Sequence, residues 1–247
     1  MYRKSIIYDS LAERTIGEFA IKKVEIPKRT LLRIYDPIQG RFNHHLTTDP
    51  IPIVKLVEGS AIWMTDDPSE RNSLLFPSTL AKGKVLIGGL GLGLLPTMLL
   101  RNEKVTSVDI VELYDEVINL VFGQLNFPSN YKVIKSDIRE YLKFGEKYDF
   151  IHIDIWPDII SPMKEIDEMI ELARNSLNPG GRIHCWLQEL YLNVKDRLPK
   201  KPVRGNFTAK PTKSCLICGK PLFNDFAGLC MDCADSFGVS ELFLEEG

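Results

Sequence analysis

The chain has 247 residues, 31 Lys and Arg against 33 Asp and Glu, a formal net charge of -2 and 44% hydrophobic residues. These values describe an ordinary soluble globular protein and give no whole-chain sign of a nucleic-acid binder. The longest uncharged run, residues 85–100, holds sixteen residues with four glycines and a proline. That is short of the roughly 20 residues a membrane-spanning helix needs, so no membrane association is expected.

MYRKSIIYDSLAERT, at the N-terminus, lacks the continuous apolar core of a signal peptide, and a cytoplasmic protein is expected. A short helix there precedes EFAIKKVEI, TLLRIYD and GSAIWMT, short alternating segments separated by Pro, Gly and Asp-rich turns. They predict a small antiparallel β unit over residues 1–75. TDDPSERNSLL then reads as a helix start, with Asp67 as cap, Pro68 in the first turn and Glu70 at the capping-box position.

From Lys84 the rhythm becomes strand, helix, strand. KVLIGG, VTSVDIVE, YKVIKSD, YDFIHID and GRIHCWL read as strands, and LGLLPTMLLRN, YDEVINLVFGQL, IREYLKF and MKEIDEMIELARNSL as helices, the last stopped by NPGG at 178–181. Alternation of this kind predicts an α/β fold over residues 76–190, a Rossmann-like parallel sheet flanked by helices with ligands at the C-terminal strand ends. Residues 191–213 read as a basic linker: from Lys195 to Lys213 there are seven Lys or Arg, one Asp and three prolines. Residues 214–247 form a cysteine-bearing tail.

KVLIGGLGLGLLP, residues 84–96, runs from strand through a glycine turn into a helix. A dinucleotide site requires G-x-G-x-x-G, and no register supplies it: from Gly89 the sixth position is Leu94, and from Gly91 it is Pro96. NAD is therefore disfavoured. Without Cβ atoms at Gly89, Gly91 and Gly93, the backbone can approach a ligand closely. Glu112 follows Gly93 by nineteen residues, at the end of the next strand, where a carboxylate can accept hydrogen bonds from both hydroxyls of a ribose.

This order of strand, G-x-G-x-G, helix and strand-closing acid resembles class I S-adenosylmethionine (SAM)-dependent methyltransferases over about residues 80–190. ELARNSLNPGGRIHCW is similar to that family's run into its fifth strand, and VDIVELYDEVINL with the β-rich N-terminal unit resembles most the spermidine synthase group. The resemblance implies SAM as cofactor and favours Glu112 over Asp109 as the ribose ligand, because Glu112, Val117 and Ile118 match E-x-x-x-x-V-I. It also implies that Asp137 receives the adenine amino group, with Ile138 beside the ring. Read by itself, Asp137 is equally a helix cap for IREYLKF.

Asp154 closes the fourth strand in YDFIHIDIWPD, where α/β sheets place reactive groups. It is the catalytic candidate, a carboxylate able to hold an amine nucleophile and take its proton, with Trp156 and Pro157 as pocket wall. The competing reading is a strand-end Asp capping a turn. Two departures separate the chain from aminopropyltransferases, which carry G-G-G-D-G-G and D-x-x-D-P. Here Gly91 stands in place of the first motif's acid and Pro157 in place of the second motif's second acid, with Asp158 one residue further on. His44 and His45 read as loop residues, His152 and His184 as satisfied core residues, Cys185 as a buried small hydrophobe, and Trp63 as core packing.

CLICGKPLFNDFAGLCMDC has the spacing C-x2-C-x11-C-x2-C, which brings Cys215, Cys218, Cys230 and Cys233 into a tetrahedral thiolate set for a structural Zn²⁺. The unit resembles a zinc ribbon or treble-clef finger, and metal would supply its folding energy. With the basic arm it could grip nucleic acid; alternatively it is a protein contact or a cap on the sheet. The expected activity is SAM-dependent transfer of a methyl group to an unidentified small-molecule acceptor. The alternatives are aminopropyl transfer from decarboxylated SAM and a non-catalytic zinc-finger adaptor. ELYLNVK is expected to supply part of the family's closing hairpin, and relatives of the spermidine synthase type suggest a homo-oligomer.

Overall fold

The computed structural model describes residues 4–195. Six strands come first: β1 (Arg14–Ile16), β2 (Phe19–Ile26), β3 (Leu31–Asp36), β4 (Arg41–Leu46), β5 (Ile51–Glu58) and β6 (Ala61–Thr65). Strands β1, β2, β5 and β6 form one antiparallel sheet in that order, and β3 and β4 form a separate hairpin. The expected β unit is present. The N-terminal helix is not: residues 6–10 are turns, with Ser10 N and Leu11 N both bonding to the Ile7 carbonyl at 3.1 Å. One turn suffices to bury Ile7 and Leu11, both 0% exposed, before the chain must extend into β1.

Two short helices follow, α1 (Pro68–Ser73) and α2 (Leu75–Leu80). Asp67 caps α1 as expected, its side chain accepting from Ser69 N at 2.7 Å and Glu70 N at 3.1 Å, with Pro68 in the first turn. Glu70 does not close the capping box; its carboxyl turns toward Asp154, Trp186 and Ser73.

The remaining elements are β7 (Gly83–Gly88), α3 (Leu94–Leu99), β8 (Val105–Glu112), α4 (Asp115–Val121), β9 (Tyr131–Lys135), α5 (Ile138–Tyr141), β10 (Tyr148–Ile153), α6 (Ser161–Arg174), β11 (Leu177–Cys185) and α7 (Gln188–Val194). The five strands pair in parallel in the order β11-β10-β7-β8-β9. The chain therefore grows outward from β7 through β8 and β9, then crosses back to the other side of β7. The crevice between β7 and β10 is the topological switch point, where open α/β sheets bind ligands.

Apolar layers cover the sheet. Alternate residues of β7 and β10 feed different clusters: Val85, Ile87 and Phe150 pack with α3, α4 and the N-terminal unit, whereas Leu86, Ile151 and Ile153 pack with α5, α6 and α7. Helix α6 presents Met163, Ile166, Met169 and Ala173 to the second cluster at helical spacing. Ile21, Val54 and Leu56 of the N-terminal sheet belong to the first cluster. The N-terminal unit and the parallel sheet thus share a core.

Two local expectations are corrected. Helix α6 ends at Arg174, and NPGG lies inside β11, where it makes a bulge: Tyr148 pairs with Leu177 but Phe150 pairs with Arg182. ELYLNVK contributes a helix, α7, in which Leu190, Tyr191 and Val194 are buried at helical rather than alternating spacing. No helix among the described residues is long and apolar enough to cross a membrane. The basic linker beyond Lys195 and the cysteine tail lie outside the described residues.

Candidate active site

Strand register lines up the sequence-identified residues along one rim. Ile153 pairs with Gly88 and Gly88 with Val111, so Asp154, Gly89 and Glu112 leave their strands at the same level. The ladder continues past the strand ends: Asp154 N donates to Gly88 O and Gly89 N to Val111 O, each at 2.8 Å. Ser136 N donates to Glu112 O at 3.0 Å, which brings Asp137 to the same rim. A cavity of about 380 Å³ opens there, lined by Gly89, Gly91, Glu112, Asp137, Ile138 and Asp154 among others. Small-molecule sites span roughly 300–1,000 Å³.

The glycine turn has an internal reason to be glycine. Gly89 has φ +96°, and a Cβ there would collide with the Asp154 carbonyl oxygen. At Gly91, φ is +52°, and a Cβ would strike Met64 Sδ. Close ligand approach is thus not required to explain either residue. At Gly93, φ is +70°, and a Cβ would meet Leu125 and Val121, so helix packing by itself accounts for this glycine; it is not among the residues lining the cavity. Met64 lies over the turn and accepts from Leu92 N at 3.2 Å.

Glu112, 7% exposed, is fixed by two backbone donors: Leu90 N bonds to Oε2 and Tyr114 N to Oε1, both at 2.9 Å. Its carboxylate therefore ties the glycine turn to the start of α4 while facing the cavity. Asp109 belongs to a different cluster, accepting from the Tyr148 hydroxyl at 3.0 Å beside Lys84 Nζ at 3.5 Å. Asp137 does cap α5, through Arg139 N at 2.7 Å. It also lines the cavity. Ile138, 4% exposed, packs against Gly88.

Asp154, Trp156 and Pro157 also line the cavity. Burial pushes the Asp154 carboxyl up to about 7. Asp158 does not join it. Its oxygens accept from Ile160 N at 2.7 Å, Ser161 N at 2.8 Å and Ser161 Oγ at 2.9 Å, which commits it to the turn before α6. The second acid is Glu70, which the sequence placed at a helix cap. Burial, then the charges of Asp154 and Asp67, raise it well above the usual carboxylate range, while hydrogen bonds from Trp186 and Ser73 pull it down. Both carboxyls line the cavity, and both are raised above the usual carboxylate range.

Aromatic side chains close the walls. Trp63 lines the cavity, stacks edge-on against Phe19 and Tyr114, and donates Nε1 to Glu58 at 2.8 Å; it serves both core and pocket. Trp156 Nε1 donates to Glu165 at 2.9 Å, and Trp186 Nε1 to Ser73 Oγ at 3.3 Å. His44 and His45 are exposed on β4 and away from the cavity. Cys185 is 0% exposed, and burial pushes its thiol up to about 12, so it is inert. His152 departs from expectation: it lines the cavity and its Nε2 has no hydrogen-bond partner among the described residues. Among the described residues no group of three or more His, Cys, Asp and Glu is arranged to hold a metal ion; Cys215, Cys218, Cys230 and Cys233 lie outside them.

No protein-family model matches the chain, and no curated protein sequence matches it. Solved structures do. The chain is similar to precorrin 8w decarboxylase from Methanobacterium thermoautotrophicum, with 20% identity over 45% of this chain and 61% of that one and a TM-score of 0.35. It is similar to a SAM-dependent methyltransferase from Thiobacillus denitrificans in complex with S-adenosyl-L-homocysteine, with 21% identity over 46% of each chain and a TM-score of 0.37. Spermidine synthase from Thermotoga maritima is 17% identical over 70% of this chain and 73% of that one, with a TM-score of 0.43. The chain spans less than two thirds of the first two of these proteins. At these identities and scores, the functional reading rests on the chain's own residues.

Proposed function

We propose that the chain is a SAM-dependent transferase, moving a methyl group to a small-molecule acceptor held beside Asp154. One observation carries the reading: at the switch point a single cavity collects, in strand order, the glycine turn, Glu112, Asp137 with Ile138, and Asp154. The donor set fits an adenosyl group. Each Glu112 oxygen accepts one backbone N–H and keeps a further lone pair for a ribose hydroxyl. Asp137 uses Oδ1 for its cap and keeps Oδ2 for an exocyclic amino group, with the apolar Ile138 side chain beside it.

When bound, SAM supplies an electrophilic carbon on a positively charged sulfur. The chain's task is then alignment of the nucleophile, worth several kcal/mol when geometry is fixed. Asp154 and Glu70 hold that nucleophile by hydrogen bonds. Trp156 and Trp186 shield it from water.

Glu70 also supports a second reading. It restores a second acid beside Asp154, which the Pro157 departure had removed, and so keeps aminopropyl transfer from decarboxylated SAM in view. Against that, Gly91 sits under Met64, and Met64 fills the space an acid there would need. Incubation with each donor and a mixture of diamines and phenols, read by mass spectrometry, separates the two. Mass gains of one methyl from SAM support the first reading; aminopropyl adducts from decarboxylated SAM overturn it in favour of the second. The cysteine set is proposed to carry one structural zinc ion per chain, checked by metal release on chelation in the whole protein and its loss in Cys215→Ser.

A further inference from the structure

The glycine turn after β7 holds four of its backbone N–H groups in hydrogen bonds. Gly89 N bonds to Val111 O at 2.8 Å, Leu90 N to Glu112 Oε2 at 2.9 Å and Gly93 N to Leu90 O at 2.8 Å. Leu92 N alone among these four meets sulfur, the Met64 Sδ atom at 3.2 Å. A thioether is a weak acceptor, so this is the one bond of the four that an oxygen would improve.

A bulge brings Met64 there. Val57 pairs with Ile62 but Leu56 pairs with Met64, which leaves Trp63 as an extra residue in β6. Regular alternation would send Trp63 and Met64 to opposite faces, whereas both line the cavity. The flanking residues hold the strand in place. Trp63 Nε1 donates to Glu58 at 2.8 Å, and Thr65 Oγ1 to Asp67 Oδ2 at 2.9 Å. Met64 can therefore leave only by rotating its own side chain, which is unbranched and changes rotamer without disturbing β6. Its sulfur lies over Gly91, where φ is +52° and the missing Cβ makes room for it.

Strand order says what Met64 stands in. Asp137 follows β9, Glu112 ends β8, the glycine turn follows β7 and Asp154 follows β10, and these four strands are neighbours in that order. The residues assigned to adenine and ribose stand on one side of the turn and the acceptor-side carboxyl on the other. The turn is the part of the rim left between them for the donor's sulfur and amino-acid tail.

We propose that Met64 sets which adenosyl sulfur compounds the cavity takes. Its thioether occupies the place of the donor's amino-acid tail, and a full-length donor binds by rotating Met64 away and meeting Leu92 N with an oxygen of that tail. This rests on the transferase reading above. An adenosyl compound without the tail leaves Met64 where it is, so the side chain is a standing cost only to compounds that carry one.

The test compares S-adenosylhomocysteine, which has the tail, with 5′-methylthioadenosine, which has a methyl group in its place. In calorimetry, Met64→Ala should tighten the first by about fivefold or more and change the second by less than about twofold. Retained 5′-methylthioadenosine binding also shows that the variant is folded. A second measurement uses the wild-type chain with ¹³C-labelled methionine methyl groups: S-adenosylhomocysteine should move the Met64 resonance several times further than 5′-methylthioadenosine does. If Met64→Ala loses both ligands by misfolding, this comparison decides alone. Unchanged or weaker S-adenosylhomocysteine binding in a folded Met64→Ala, an equal gain for both ligands, or equal movement of the Met64 methyl overturns the proposal and leaves the transferase reading standing. Absence of binding by either ligand to the wild-type chain and to the variant sinks the transferase reading and the proposal with it.

Discussion

Glu70 and Asp154 reach one cavity from separate parts of the chain, Glu70 from the capped turn of α1 and Asp154 from the end of β10, and burial, then the charge of Asp154, raises the Glu70 carboxyl. The N-terminal unit thereby supplies a carboxyl to the cavity and not only a cover for the parallel sheet. The pair also makes stability depend on pH.

Asp154 binds its proton more tightly in the folded chain than in the unfolded one, rising from 3.8 to about 7. Between those values the folded state holds more protons, so stability falls as pH rises through the window, and the full cost is present above about 7. Glu70 shifts in the same direction. The Asp154 shift sets an upper bound of about 4 kcal/mol at 1.36 kcal/mol per unit, and cavity water reduces the expected gain for Asp154→Asn to about 1–2 kcal/mol. Urea unfolding at about pH 4 and pH 8 should show most of that gain at the higher pH, with transfer activity lost at both.

Glu112 joins two backbone donors to the cavity, and Glu112→Gln can satisfy only one of them well. Its amide end meets Leu90 N or Tyr114 N as a second donor. The expected cost is about 1–2 kcal/mol of stability and at least a tenfold loss of S-adenosylhomocysteine affinity, about 1.4 kcal/mol. Retained affinity with lost stability would leave Glu112 a purely structural residue.

Two glycines with positive φ should respond differently to alanine. Gly59 has φ +56° and, among the described residues, nothing within 4 Å of a Cβ, so Gly59→Ala costs only the backbone term, about 1 kcal/mol. Gly89→Ala adds a collision with the Asp154 carbonyl, which the parallel ladder holds in place, and should cost about 2–4 kcal/mol. Equal midpoints in a urea series would mean that the Asp154 carbonyl yields.

Asp158 and Asp154 lie four residues apart and should separate cleanly. Asp158→Ala removes a turn cap, lowers stability by about 1 kcal/mol and leaves transfer unchanged, because its carboxylate is occupied by Ile160 and Ser161. A fall in transfer rate of tenfold or more in this variant would reinstate Asp158 as the second acid.

The parallel sheet was readable because each strand is bounded by turn residues and each helix by apolar spacing; Gly89, Glu112, Asp137 and Asp154 all fall at strand ends, where α/β ligands bind. Glu70 was not readable. DDPSERNS fits a capping box so well that a local explanation existed, and only the packing of α1 near β11, which brings Trp186 to Ser73, turns the side chain inward. His152 and His184 were hidden for a related reason. Each looks like an isolated strand histidine, and the register that makes them partners depends on where the NPGG bulge falls in β11. Gly93 was read from the motif alone, and the packing of Leu125 against it was not readable in the sequence. ELYLNVK was read by analogy with the family's hairpin, although its buried residues 190, 191 and 194 carry the helical period.

The most direct test of the cofactor assignment is calorimetric titration of the metal-replete whole chain with SAM, S-adenosylhomocysteine, decarboxylated SAM and NAD, repeated on Glu112→Ala. Micromolar binding of SAM and S-adenosylhomocysteine, no binding of NAD, and loss of both interactions in a folded Glu112→Ala is the predicted result. NAD binding, or no binding of any adenosyl ligand by the wild-type chain, would contradict the account.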